Sequence, residues 1–173
     1  MKTLIFVAHP DLEKSVVNKE WVEAIRRELP DVDVHILHEA RRQKEFDVRA
    51  EQKLVDSYDN IVFQFPVYWF NCPALLKQWM DDVLTPDWAY MENFALEGKK
   101  IAMAVSAGSS AEDYSPNGSV GKNMEDVLQP MCLSFKYLKA KYCGLHACYD
   151  AVGIGKDALK ENAEEFVRFI EAL

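Results

Sequence analysis

The chain has 173 residues, 49% hydrophobic and 28% charged, with a formal net charge of −8. That length suits one domain, expected to span residues 1–173, with room for a sizeable core. The acidic balance argues against nucleic acid or an anionic membrane surface as the main partner, and no apolar run approaches the roughly eighteen residues of a membrane span.

The first element is an apolar run from Lys2 to Ala8, expected as a strand buried on both faces in the middle of a sheet. One lysine, a short apolar run and then Pro10 match a signal peptide poorly, so a cytoplasmic protein is expected. From Ser15 to Leu29, the residues Val17, Trp21, Ile25 and Leu29 recur every four, widened by Val22 and Ala24, and predict an amphipathic helix that Pro30 ends. Val32 to Leu37 alternates as a more peripheral strand, and residues 41–58 are charged and weakly helical. Residues 60–70 predict a third strand running into an aromatic loop, followed by a helix over 73–84. A fourth buried strand covers 101–108 and opens into a loop rich in Gly, Ser, Pro and Asn through Gly121.

Residues 122–143 predict a helix bent at Pro130, which lacks a backbone donor, with Gly144 as its C-terminal cap. A fifth strand is expected over 146–153 and a closing helix over 156–173, with Leu159, Ala163, Phe166, Phe169 and Ile170 on one face. Strands alternating with helices mean a parallel sheet covered on both faces, with right-handed crossovers. The four cysteines, Cys72, Cys132, Cys143 and Cys148, show no paired spacing and read as buried thiols. Period-two alternation sets His146 and Cys148 on one face and Cys143 on the other, so no metal site is expected.

Ligands of such sheets gather at the C-terminal strand ends, which here fall just after strands one, three and four. After strand one, His9, Ser15 and Asn18 precede or open a helix whose free amides suit a phosphate. Ser15 equally reads as a plain helix cap and His9 as a hydrogen-bonded loop residue. After strand three, Tyr68, Trp69 and Phe70 stand in a row. Core filling accounts for any one of them, but three consecutive side chains cannot all point inward, so at least one faces the cleft. After strand four come Ser106, Gly108, Ser109 and Tyr114; Gly108 suits a close approach of backbone to a ring or a flexible turn. Phosphate chemistry at one end and a planar-ring site at the other describe a flavin nucleotide.

The stretches AHPDLEKSVVN, FPVYWFNCPALLKQWMDDVL, DWAY and SAGSSAEDYSPNG resemble the flavodoxin-like NAD(P)H:quinone oxidoreductases, over nearly the whole chain. Within that family the likeness is to the small bacterial general stress proteins and to the ancillary flavoprotein of glutathione-gated potassium efflux systems. The resemblance implies a flavodoxin-like α/β fold with a five-stranded parallel sheet in the order 2-1-3-4-5 and helices on both faces. It implies that His9, Ser15, Val16, Val17 and Asn18 surround the flavin phosphate and ribityl chain. Pro66, Val67, Tyr68, Trp69 and Phe70 would run along the ring, Ser106, Ala107, Gly108 and Ser109 would meet its other edge, and Tyr114 would act beside the substrate. The spacing His-x5-Ser-x2-Asn resembles the FMN-binding type, with FAD as the alternative. The implied activity passes a hydride from NADPH or NADH through the flavin to a quinone or related acceptor by a ping-pong route. The implied assembly is a homodimer, and the alternative role is that of a regulatory subunit beside a potassium-efflux transporter. Two departures stand out. Val120 occupies the position of a relay histidine in well-known relatives, and Ser106-Ala107-Gly108-Ser109 replaces a threonine- and glycine-rich loop.

Overall fold

The structure is a computed structural model that describes residues 1–41 and 45–173. Part of the helical expectation over 41–58 falls on Arg42, Gln43 and Lys44, outside the described residues; the rest forms a helix from Val48 to Asp56.

Five strands, β1 (Thr3–Val7), β2 (Asp33–Ile36), β3 (Asn60–Pro66), β4 (Lys100–Ser106) and β5 (Lys141–Cys148), form one parallel sheet in the order β2-β1-β3-β4-β5. The order agrees with the expectation. The unbroken apolar runs follow from coverage on both faces. Leu4, Phe6, Phe63, Met103 and Val105 point into one layer, whereas Ile5, Val7, Val62, Ala102 and Ala104 point into the other. The first layer holds α3 (Val48–Asp56), α4 (Ala74–Val83) and α6 (Gln129–Tyr137), with Phe63 stacked between Phe6 and Phe135. The second holds α1 (Val17–Glu28) and α7 (Lys156–Glu171), joined through Trp21 and Phe166 at a ring separation of 5.0 Å. Each fully buried side chain of this size contributes about 1.5–3 kcal/mol, and these layers make the sheet a rigid platform for its loops.

Two short helices, α2 (Leu37–Ala40) and α5 (Met124–Val127), complete the described α-helices. At the outer edge the buried Glu51 carboxylate accepts from Trp79 Nε1 at 2.8 Å and meets His35 Nε2 at 3.0 Å, tying α3 and α4 to β2.

Residues 122–148 differ from the expectation. The bent helix is two helices, broken at Leu128, and Pro130 sits in the first turn of α6, where its missing donor costs nothing. The end of α6 lacks glycine; Lys139 takes the left-handed conformation there at φ 58°. Gly144, expected as a cap, lies inside β5 at φ 104°. The pairing with β4 slips there, because Ile101 faces Tyr142 whereas Met103 faces Leu145. An extra residue at a bulge needs a conformation that glycine adopts freely. The strand therefore starts at Lys141, earlier than its sequence pattern indicates.

Candidate functional site

The C-terminal ends of β1, β3, β4 and β5 meet at one edge of the sheet, around a cleft of about 370 Å³. A larger depression of about 620 Å³ lies between α1 and α7, among charged surface residues away from the strand ends. Chemistry, not size, selects the former.

After β1 the chain makes a 3-10 turn, Leu12–Lys14, that delivers Ser15 to the head of α1. Ser15 is extended, Val16 already has helical dihedrals, and Ser15 Oγ accepts from the Asn18 amide at 3.1 Å. Ser15 is therefore the N-terminal cap by geometry. The other amides of that turn have no intrahelical acceptor, and the positive end of the helix faces the cleft. His9 Nδ1 accepts the Asp11 amide at 3.1 Å, so the neutral ring carries its proton on Nε2. Burial outweighs the nearby Asp11 and pulls the His9 pKa below its ordinary value, which keeps the ring neutral at pH 7.

Asn18 is a floor residue. It is 1% exposed, donates from Nδ2 to Ser106 Oγ at 2.9 Å, and accepts from Gln64 Nε2 at its backbone oxygen at 3.0 Å. These bonds tie α1 to β3 and β4 directly beneath the cleft.

After β3, Tyr68 and Asn71 exchange backbone hydrogen bonds at 2.9 and 3.0 Å across a two-residue turn. Trp69 and Phe70 are its central residues, at φ 49° and 61°. Positive φ at both positions marks a type I′ turn, which asparagine and glycine normally occupy. The turn's own bonds use the amides of Tyr68 and Asn71, which leaves those of Trp69 and Phe70 outside them. Trp69 is 94% exposed and Phe70 53%. The aromatic row thus projects from the strand end, with no ring of it filling the core.

The remaining wall comes from Ser106 at the end of β4, Gly108 after it, and Ala151, Val152 and Gly153 after β5. Ala151 donates its amide to Ala107 O at 2.9 Å, which holds the two loops side by side. Among the large apolar side chains that stay exposed, Val16, Tyr68, Trp69, Phe70 and Val152 belong to these loops.

Of the expected residues, His9, Ser15, Val16, Val17, Asn18, Pro66, Val67, Tyr68, Ser106 and Gly108 line the cleft together. Trp69 and Phe70 stand at the turn beside it, Ala107 is buried, and Ser109 accepts the Asp150 amide. Tyr114 is 8% exposed, packs 5.7 Å from the Tyr149 ring and lies outside the lining. Burial, then Asp113, raise its pKa, so its hydroxyl keeps its proton. Val120 packs against the core and gives its amide to Asp113, leaving no titrating group at that position. Lys14, Ala151, Val152 and Gly153 line the cleft without having been expected. The last three carry no polar side chain and gave no chemical signal.

The chemistry of this lining fits a phosphorylated flat-ring molecule. Neutral donors and a helix end gather at one side, and exposed apolar surface at the other.

The model of the flavodoxin-like fold family matches residues 1–170. The chain is 38% identical over 173 residues to an uncharacterized NAD(P)H oxidoreductase, YrkL, of Bacillus subtilis, covering 99% of both chains. It is 32% identical over 166 residues to the glutathione-regulated potassium-efflux system ancillary protein KefG of Pectobacterium carotovorum, covering 95% and 90%. Among solved structures, general stress protein 14 of Treponema denticola in complex with FMN superposes with a TM-score of 0.92 at 43% identity, covering 99% of each. An NADPH-quinone reductase of P. pentosaceus superposes with a TM-score of 0.88 at 30% identity, covering 98% and 97%.

Proposed function

The chain belongs to the flavodoxin-like fold family, and on that premise we propose that it is an FMN-dependent NAD(P)H oxidoreductase whose acceptor is a quinone or a similar flat ring. The observation that carries this reading is the cleft at the strand ends, where a capped helix terminus and an exposed aromatic turn meet. The FMN complex of a relative at 43% identity and the names of the oxidoreductase relatives support it.

His9, Ser15 and the first-turn amides of Val16 and Val17 would hold the phosphate. His9 donates from Nε2, because its other nitrogen is already engaged. Asn18 positions this end of the site indirectly, by fixing α1 to the sheet through Ser106 and Gln64. Pro66, Val67, Tyr68, Gly108 and Val152 would flank the ring, where apolar walls exclude water. FMN, when bound, supplies a two-electron centre that takes a hydride from NAD(P)H and passes the electrons to the acceptor. The amides of Trp69 and Phe70, which the turn's own bonds leave unused, would serve the ring as fixed donors, and fixed donors stabilise charge without reorganising. Tyr114 is a buried, protonated hydroxyl outside the cleft lining. We assign both substrates to the open face in turn, a ping-pong order. Initial rates measured against NADPH at several fixed quinone concentrations test it. Parallel double-reciprocal lines support alternating occupancy, and intersecting lines refute it.

The likeness to an efflux ancillary protein supports a second reading, partnership with a potassium transporter. Recovery of the chain with such a transporter from solubilised membranes would favour it, and the cleft does not require it.

A further inference from the structure

The cleft is electrostatically unlike the rest of the molecule. The chain carries 28 acidic residues and a net charge of −8, yet among the described residues the cleft lining contains no carboxylate and a single permanent cation, Lys14. Lys14 ends the 3-10 turn immediately before the capping Ser15, so its stem starts at the rim of the helix terminus. Its ammonium pairs with Asp11 at 2.6 Å, and the side chain is 85% exposed. Asp11, in turn, is the residue whose amide fixes His9. We propose that Lys14 is a phosphate-binding residue of this chain, held in reserve by Asp11 and exchanged from that carboxylate to the cofactor phosphate on binding.

The inference rests on the FMN reading and deepens it. A phosphate dianion approaching an acidic protein meets repulsion at long range, and a helix terminus offers only about half a unit of positive charge against it. A flexible lysine at the rim supplies a full charge, and its long stem lets the ammonium swing without moving the backbone. The carboxylate of Asp11 competes for the same ammonium, so it sets the affinity from the opposite direction. Both mutual effects on ionisation run as expected for this pair: Lys14 lowers the Asp11 pKa and Asp11 raises that of Lys14. The ammonium is exposed, so salt screens its contribution.

The test titrates flavin-free protein with FMN and with riboflavin, which lacks the phosphate, following flavin fluorescence at low and high salt. K14Q preserves most of the stem and D11N preserves the amide that His9 uses. The expected result is a loss of about three- to tenfold in FMN affinity for K14Q at low salt, shrinking at high salt, with riboflavin affinity unchanged. D11N is expected to bind FMN more tightly than the wild type. Equal FMN affinity of K14Q and wild type at low salt overturns the assignment of Lys14 and leaves the flavin reading intact, as does a K14Q loss that riboflavin shares. A wild-type protein that binds neither flavin overturns the flavin reading and Lys14 with it.

Discussion

The strained turn after β3 yields the sharpest prediction. Trp69 and Phe70 hold φ values of 49° and 61°, a region that costs a residue with a side chain about 1–2 kcal/mol each. The double variant Trp69→Asn, Phe70→Gly supplies the asparagine-glycine pair that a type I′ turn prefers. Relief of strain is worth about 2–4 kcal/mol by that figure. Trp69 is 94% exposed, so its removal forfeits almost no burial, and the half-exposed Phe70 gives up roughly 1 kcal/mol. Glycine adds a further chain-entropy cost of about 0.5–1 kcal/mol. The net is a stabilisation of about 1 kcal/mol, which raises the melting temperature by roughly 2–4 °C for a chain of this size. The assay is thermal unfolding of flavin-free protein, since bound ligand adds its own stabilisation. The same variant is expected to bind FMN about tenfold more weakly, because the aromatic edge of the cleft is gone. Gained stability with lost affinity would show strain retained for function. A variant that melts below the wild type, or binds FMN unchanged, refutes the reasoning.

Asn18→Ala removes the buried bond to Ser106 and is expected to cost about 2 kcal/mol, seen as a melting temperature lower by about 4–8 °C; an unchanged melt contradicts its role as a floor residue. His146 lies among Trp21, Phe166 and Phe169, and burial lowers its pKa from 6.5. The unfolded chain therefore takes the proton first, so this part of the stability is intact above pH 6.5 and is lost as the pH falls below it. Urea midpoints from about pH 7.5 to 5.5 should fall less for His146→Gln than for the wild type, and equal falls would dismiss the histidine as a cause.

Much of this fold was legible because its signals are redundant. The β1 run is apolar at every position from Leu4 to Ala8, since Leu4 and Phe6 feed one layer while Ile5 and Val7 feed the other. Ser15 was legible as a cap because a hydroxyl ahead of an amphipathic helix takes one of its free amides, here that of Asn18. Gly144 misled because a glycine after a helical pattern reads as a cap, and a bulge is fixed by the neighbouring strand rather than by local sequence. Nothing local marks Lys139 as the residue that turns left-handed instead. The loop after β5 escaped notice for a different reason. Ala151, Val152 and Gly153 become part of the cleft only through the backbone bond to Ala107, a contact made far along the sequence. Tyr114 is singled out by the resemblance alone; it is buried beside Tyr149, outside the cleft lining.

That this cleft binds FMN and passes electrons onward from NAD(P)H is tested most directly by anaerobic absorption spectra. Protein reconstituted with FMN is given NADPH and then a quinone. The expected result is bound flavin whose visible bands bleach with NADPH and return with the quinone. Bound flavin that neither NADPH nor NADH bleaches would contradict the oxidoreductase reading, and protein that emerges from reconstitution without flavin would contradict the assignment of the cleft itself.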